Sequence, residues 1–414
     1  MREINLDKSF LILISIIPLT IIIGPSVSLI NILLISFLFL VNIIINKNLK
    51  FEDKKILFIL LSLVIYFIFN SLISLDYKVG MARNFGFIRY VLLFLAINYF
   101  FYMSNYKNNF LLFWLLIIFI VVFDSYVESI FGKNILGNVS PYKERIVSFF
   151  KDEPIVGGYL NGFLFIATGY LFQKYYDKEF KFKIFIFFLV FILLACIILT
   201  GERSNAIKSI FGLLVFFILN QKFDFKNKII SSIIIVGIIF TVIFSSDYLK
   251  VRYGNQLFSH FFNKEKTIQF IEGNLYFKLY RSGYEIFKDY PIFGVGNKNY
   301  RVVTTNNLEN KVNDHYFIST HPHQVYFEFL SEHGIFGSSI LLTIFFFLIF
   351  KNLKVIILSR NSLQLGCFVF LINNFLPILP SGSFFGDFNS NLFWLNLSLM
   401  YACSSKTNIF EKKN

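Results

Sequence analysis

Residues 319–337 read STHPHQVYFEFLSEHGIFG, a polar, histidine-bearing lead into a helix that runs straight on into the apolar stretch 338–350. Thr320 is of a type that caps helix N-termini, and Pro322 is tolerated in a first turn. The spacing therefore predicts a helix that opens near His321 and His323, where unpaired N–H groups gather. That end of a helix attracts anions and favours neutral imidazole over imidazolium. Gln324, Glu328, Ser331 and Glu332 fall on one helical face, which predicts a polar side turned to a wet cavity. Gly334 and Gly337 interrupt the pattern before the apolar run. The bland alternative is an interfacial segment beside a membrane. A metal site on the HxH pair is disfavoured, because no third His, Cys or paired carboxylate lies at ligand spacing nearby.

The rest of the chain agrees with a membrane setting. Hydrophobic residues make up 56% of the 414, with 58 Phe, and the mean hydropathy is +0.64; an ordinary soluble domain of this length does not have such a composition. Runs able to cross about 30 Å of hydrocarbon recur from residue 10 to residue 402 and number about 12. The fold class expected is an all-α polytopic membrane protein with about 12 transmembrane helices and a large, partly helical periplasmic loop between spans 9 and 10. The expected division is 1–245 as an N-terminal membrane bundle, 246–324 as the outward loop, 325–402 as C-terminal membrane helices and 403–414 as a cytoplasmic tail. The first apolar run lacks an A-x-A cleavage site and reads as a retained span. Cys196, Cys367 and Cys403 sit in or beside apolar runs, which argues against a disulfide-stapled exterior.

Orientation follows from charge. Lysines such as Lys47, Lys107, Lys178, Lys226 and Lys354 mark alternate connections, and Lys412 and Lys413 mark the tail, so both termini are expected in the cytoplasm. The net charge of +14 then needs no nucleic-acid partner. Arg83, Arg89, Arg145, Arg203, Arg252, Arg281 and Arg301 map instead to the outward side. Lysine would serve orientation equally well, whereas arginine adds a planar fork for phosphate or carboxylate. The competing explanation is headgroup binding or local ion pairing, such as Arg281 with Glu285. Arg203 is the sharpest case. It sits in the short turn 200–205, so close to hydrocarbon that it needs a partner, either Glu202 or a diphosphate. Within the long loop, 275–288 reads as a helix stopped at Asp289-Tyr290-Pro291, and Gly294-Val295-Gly296-Asn297 reads as a turn.

TGERSNA at 200–206, YRSGYEIFKDYPIFGVGNKNY at 280–300 and THPHQVYFEFLSEHGIFG at 320–337 together resemble the O-antigen ligase and polymerase family. RIVSFFKDEPIVGGYL at 145–160 and LPSGSFF at 379–385 are similar to weaker patches of it. The resemblance implies a metal- and cofactor-independent membrane glycosyltransferase that moves a glycan from undecaprenyl diphosphate to a hydroxyl acceptor, with inversion, at the periplasmic face of the bacterial inner membrane. The acceptor is lipid A core, a growing glycan or a protein, in lipopolysaccharide or surface polysaccharide biosynthesis. The resemblance assigns His323, Arg203 and Arg281 as catalytic, and Arg203, Arg281, Arg145 and Gln324 as diphosphate or glycan binders. The family usually carries Asn where this chain has Gln324. The competing class is a multi-pass transporter without this chemistry, which should favour broken helices and ionisable residues at the bilayer midplane.

Overall fold

The computed structural model describes residues 6–45, 50–103, 109–142, 145–151, 153–255 and 273–411. Lys47, Lys107, Lys412, Lys413 and part of the expected loop lie outside the described residues. All regular structure among the described residues is helical: α1 (Leu6–Ser15), α2 (Ile17–Ile23), α3 (Pro25–Ile45), α4 (Lys54–Ile73), α5 (Tyr77–Met103), α6 (Asn109–Phe131), α7 (Val156–Tyr175), α8 (Phe180–Leu199), α9 (Arg203–Leu219), α10 (Phe225–Phe244), α11 (Leu275–Asp289), α12 (Tyr300–Asn310), α13 (Val325–Phe350), α14 (Leu353–Leu358), α15 (Ser362–Asn373) and α16 (Asp387–Ala402). Among the described residues, seven helices are long and apolar enough to cross a membrane by themselves: α3, α4, α5, α6, α8, α10 and the stretch Val325–Leu358. The first apolar run is split at Ile16, with Pro18 in the first turn of α2, and the run 363–380 is helical only to Asn373.

Helix α7 is the axis of the bundle. Every residue from Val156 to Phe172 but Gly158 is buried, and it packs against α8, α9, α15 and α16. Its lower apolar content fits that place, since an interior helix meets protein rather than lipid. Helix α10 is the opposite case, with only Ser231 and Ile235 buried. The three cysteines are free.

The loop after α10 is built onto the bundle. Helix α11 is capped by Asn274, whose side chain accepts from Tyr276 N–H at 2.9 Å. The ring of Tyr280 stacks on Phe327 of α13 at 5.5 Å. The turn after α11 is held by an amide cluster: Asn297 N–H donates to Asn70 Oδ1 at 3.0 Å and Asn297 Nδ2 to Asn84 Oδ1 at 2.8 Å. Helix α13 kinks at Gly334, where φ is 59° and ψ −169°. The N–H groups freed by the kink are taken up by the loop, with Ile335 donating to Pro291 O at 2.8 Å and Phe336 to Ile292 O at 3.1 Å. A side chain at 334 would meet the Ile292 carbonyl and force this join apart.

Candidate active site

The turn between α8 and α9 explains why Arg203 is available. Glu202 was one partner considered for it. Instead the Glu202 carboxylate sits at the N-terminus of α7, accepting from Gly157 N–H at 2.6 Å, Gly158 N–H at 3.0 Å and Asn205 Nδ2 at 2.7 Å. An anion there satisfies two orphan helix donors and meets the positive end of the helix dipole. Gly157 is required for the approach, because a Cβ would lie 2.9 Å from the Glu202 carboxyl carbon. Burial pushes the Glu202 carboxyl up to about 7, with the Gly157 N–H acting in the opposite direction. With Glu202 so engaged, Arg203 makes no ion pair among the described residues.

Arg203 lines a cavity of about 670 Å³ together with Arg145, Arg252, Tyr276, Tyr280, His323, Ser381 and, further along α9, Lys208. Arg252 is fixed by its Nε, which donates to Gly201 O at 2.6 Å. Arg145 Nε is buried without a hydrogen-bond partner among the described residues. Three guanidinium groups thus line one space in which the carboxylate among the described lining residues, Glu202, is taken up by the α7 N-terminus. An anion is what such a space accommodates.

The histidines enter differently from the expectation. Helix α13 starts at Val325, and its N-cap is Gln324, not Thr320; the Gln324 side chain accepts from Tyr326 N–H at 2.8 Å and Phe327 N–H at 3.1 Å. His323 has a φ of 58°, in the left-handed region, so it stands outside the helix. Thr320 instead places its hydroxyl 2.8 Å from His321 Nδ1. The His321 ring lies 3.9 Å from that of His323, centroid to centroid. Burial lowers both histidines, with His321 brought to about 3 by burial first and then by the nearby His323 and Lys298 charges. Both are neutral bases at neutral pH. Among the described residues, no three His, Cys, Asp or Glu side chains come together.

The stripe on α13 is also not a wet face. Glu328, Ser331 and Glu332 are buried and tie the site's loops to the helix. Glu328 accepts from Phe384 N–H at 2.8 Å, Glu332 accepts from Tyr300 N–H at 3.3 Å, and the Ser331 carbonyl accepts from Val295 N–H at 3.0 Å. The segment 379–385 then bridges the two halves: Ser204 Oγ donates to Pro380 O, and Ser381 N–H donates to His323 O at 2.8 Å.

Of the residues singled out from sequence, His323, Arg203 and Arg145 share this first cavity. Arg281 and Gln324 do not. They line a neighbouring cavity of about 710 Å³, separated from the first by Phe277, Tyr280 and Ile378, which belong to both. Arg281 meets His315 Nε2 at 2.9 Å; the Arg281–Glu285 pair, the alternative to a binding role, is not formed, and Glu285 pairs with Lys288. Arg83 and Arg89 are both paired with Asp387. Sequence reasoning gave Arg252 no site role and passed over Lys208; the signal for the second is a lysine inside an apolar run.

Residues 188–371 match the family model described as O-antigen ligase. The match contains Arg203, the loop helix α11 and His323, and stops before the bridging segment at 379–385. No curated protein matches the chain.

Proposed function

We propose, from the match of residues 188–371 to the O-antigen ligase family model, that the chain transfers a glycan from a polyprenyl diphosphate, undecaprenyl diphosphate in bacteria, to a hydroxyl acceptor. The observation that carries this reading is the convergence of Arg145, Arg203 and Arg252 on a cavity that His323 also lines. The guanidinium groups bind the diphosphate and take up the charge it gains as the glycosidic bond breaks. The acceptor hydroxyl oxygen bonds to the anomeric carbon. The electron pair of the anomeric C–O bond leaves with the diphosphate, and the hydroxyl proton goes to the His323 ring. Attack opposite the leaving group inverts the anomeric centre, and no covalent glycosyl intermediate is needed.

Arg281 and Gln324 line the adjoining cavity with Tyr280 and Tyr284, and we assign that side to the acceptor. Aromatic faces with polar tips suit a sugar chain. The lysine pattern of the sequence supports an outward, periplasmic active face on the inner membrane, with 246–324 as the outward loop. The test is reconstitution of the purified protein with a polyprenyl-diphosphate-linked oligosaccharide and a candidate acceptor. Glycosylated acceptor and free polyprenyl diphosphate are the expected products. Lipid-linked glycan that crosses the vesicle membrane unchanged, with no transfer, establishes the transporter reading instead.

A further inference from the structure

Lys208 lies on α9, five residues beyond Arg203, which is about 7.5 Å further along the helix. It is only 7% exposed, yet it lines the arginine cavity with Asn161, Asn205 and Asn374. Its side chain makes no hydrogen bond or ion pair among the described residues. A buried ammonium without a counter-charge is costly inside an apolar bundle. The one carboxylate among the described residues of the cavity wall, Glu202, is already taken by the α7 N-terminus. The missing charge therefore comes from what fills the cavity.

We propose that Lys208 is a second anion-binding point, holding the lipid-proximal phosphate of the donor while Arg145, Arg203 and Arg252 hold the sugar-proximal one. This rests on the donor reading given above. The depth order carries the assignment. A lipid carrier keeps its prenyl chain in hydrocarbon, so the phosphate esterified to the prenyl alcohol lies deeper than the phosphate bonded to the sugar. Arg203 opens α9 at the turn and Lys208 follows inside the bundle, in the same order. The long lysine stem can reach back along the helix toward the arginines, and Lys208 and Arg203 line the same cavity.

The assignment separates two probes, farnesyl diphosphate and farnesyl monophosphate. The monophosphate carries only the lipid-proximal group, so its binding should depend on Lys208 and not on Arg203. Equilibrium binding to the purified full-length protein is the measurement, with inorganic pyrophosphate as a control for anion binding without a lipid. Lys208→Met should weaken monophosphate and diphosphate alike, by about 10- to 100-fold for a lost charge-assisted hydrogen bond. Lys208→Arg should restore most of both. Arg203→Lys should weaken the diphosphate and leave the monophosphate within about twofold. A thermal melt confirms that each variant is folded, and Lys208→Gln serves if Lys208→Met is not. Wild-type monophosphate binding in folded Lys208→Met or Lys208→Gln overturns the proposal, leaving Lys208 as a lysine that extends into cavity water; diphosphate binding and glycan transfer would still support the donor reading. Wild-type protein that binds pyrophosphate but neither farnesyl probe overturns both. Monophosphate binding lost equally in Arg203→Lys and Lys208→Met overturns the two-point arrangement alone.

Discussion

The backbone N–H of Ser381 donates to the carbonyl oxygen of His323 at 2.8 Å, joining residues 58 positions apart in the chain. His323 is held in a left-handed conformation, with φ at 58°, which a non-glycine residue adopts only when its surroundings hold it there. Ser381 supplies part of that hold, and Ser204, bonded to Pro380, ties the same segment to the helix that carries Arg203. The distance between base and arginine is thus set by a third segment that belongs to neither. Ser381→Pro removes the N–H and leaves the His323 carbonyl unpaired, at a cost of about 1–3 kcal/mol. Transfer is expected to fall at least tenfold, while Ser381→Ala, which keeps the N–H, should retain the wild-type melting temperature. Transfer rates and thermal melts of the two variants, compared side by side, check this.

His323→Ala should lower transfer by about 100- to 10,000-fold, the usual range for loss of a positioned general base. His321→Ala removes a ring packed on it, worth about 1 kcal/mol, and should cost less than about tenfold. Burial disfavours the His323 imidazolium and lowers its pKa, so the neutral base persists to lower pH than an ordinary histidine. The acid limb of the kcat/KM profile should therefore lie below pH 6.5 and be absent in His323→Ala. An acid limb above pH 6.5 that survives in His323→Ala would remove the general-base role.

Arg203→Lys and Arg252→Lys should each lose at least 90% of transfer, since lysine keeps the charge but loses the fork that grips phosphate oxygens. Arg281→Lys is expected to behave differently, because Arg281 lines the adjoining cavity. Its effect should appear as a raised KM for acceptor, with the KM for the lipid-linked donor unchanged. Steady-state kinetics with each substrate varied in turn separate the two patterns.

Glu202 predicts a pH-dependent stability. Its folded carboxyl is raised to about 7 from an ordinary 4.5, first by burial. Between those values the unfolded chain releases the proton and the folded chain keeps it, so stability should fall as pH rises from about 4.5 to 7, then level off. Glu202→Gln should flatten that slope, and should lower stability overall, because its amide nitrogen cannot accept from Gly157 or Gly158. Melting temperatures in detergent across pH 4.5–8 measure both effects. A slope unchanged in Glu202→Gln would show that another group titrates.

Composition and apolar periodicity are local properties, and they were enough for the class of the protein. Hydrocarbon selects long apolar helices irrespective of how they pack, so runs such as 25–45 and 225–244 declared themselves in the sequence. The loop helix ending at Asp289 was equally legible, since its cap and its stop are neighbours in the chain. Partnerships were not. Glu202 stands next to Arg203 in sequence but binds the start of α7, where the fixed N–H groups of Gly157 and Gly158 have no partner within the helix. The stripe from Glu328 to Glu332 has the spacing of a wet face, yet the loops at 294–300 and 383–384 pack over it and take its hydrogen bonds. Arg281 and Arg203 share a motif pattern but face different cavities across Tyr280. Which polar groups are consumed by the scaffold and which are left facing a cavity depends on what lies opposite them in space, and only the packed bundle brings those partners together.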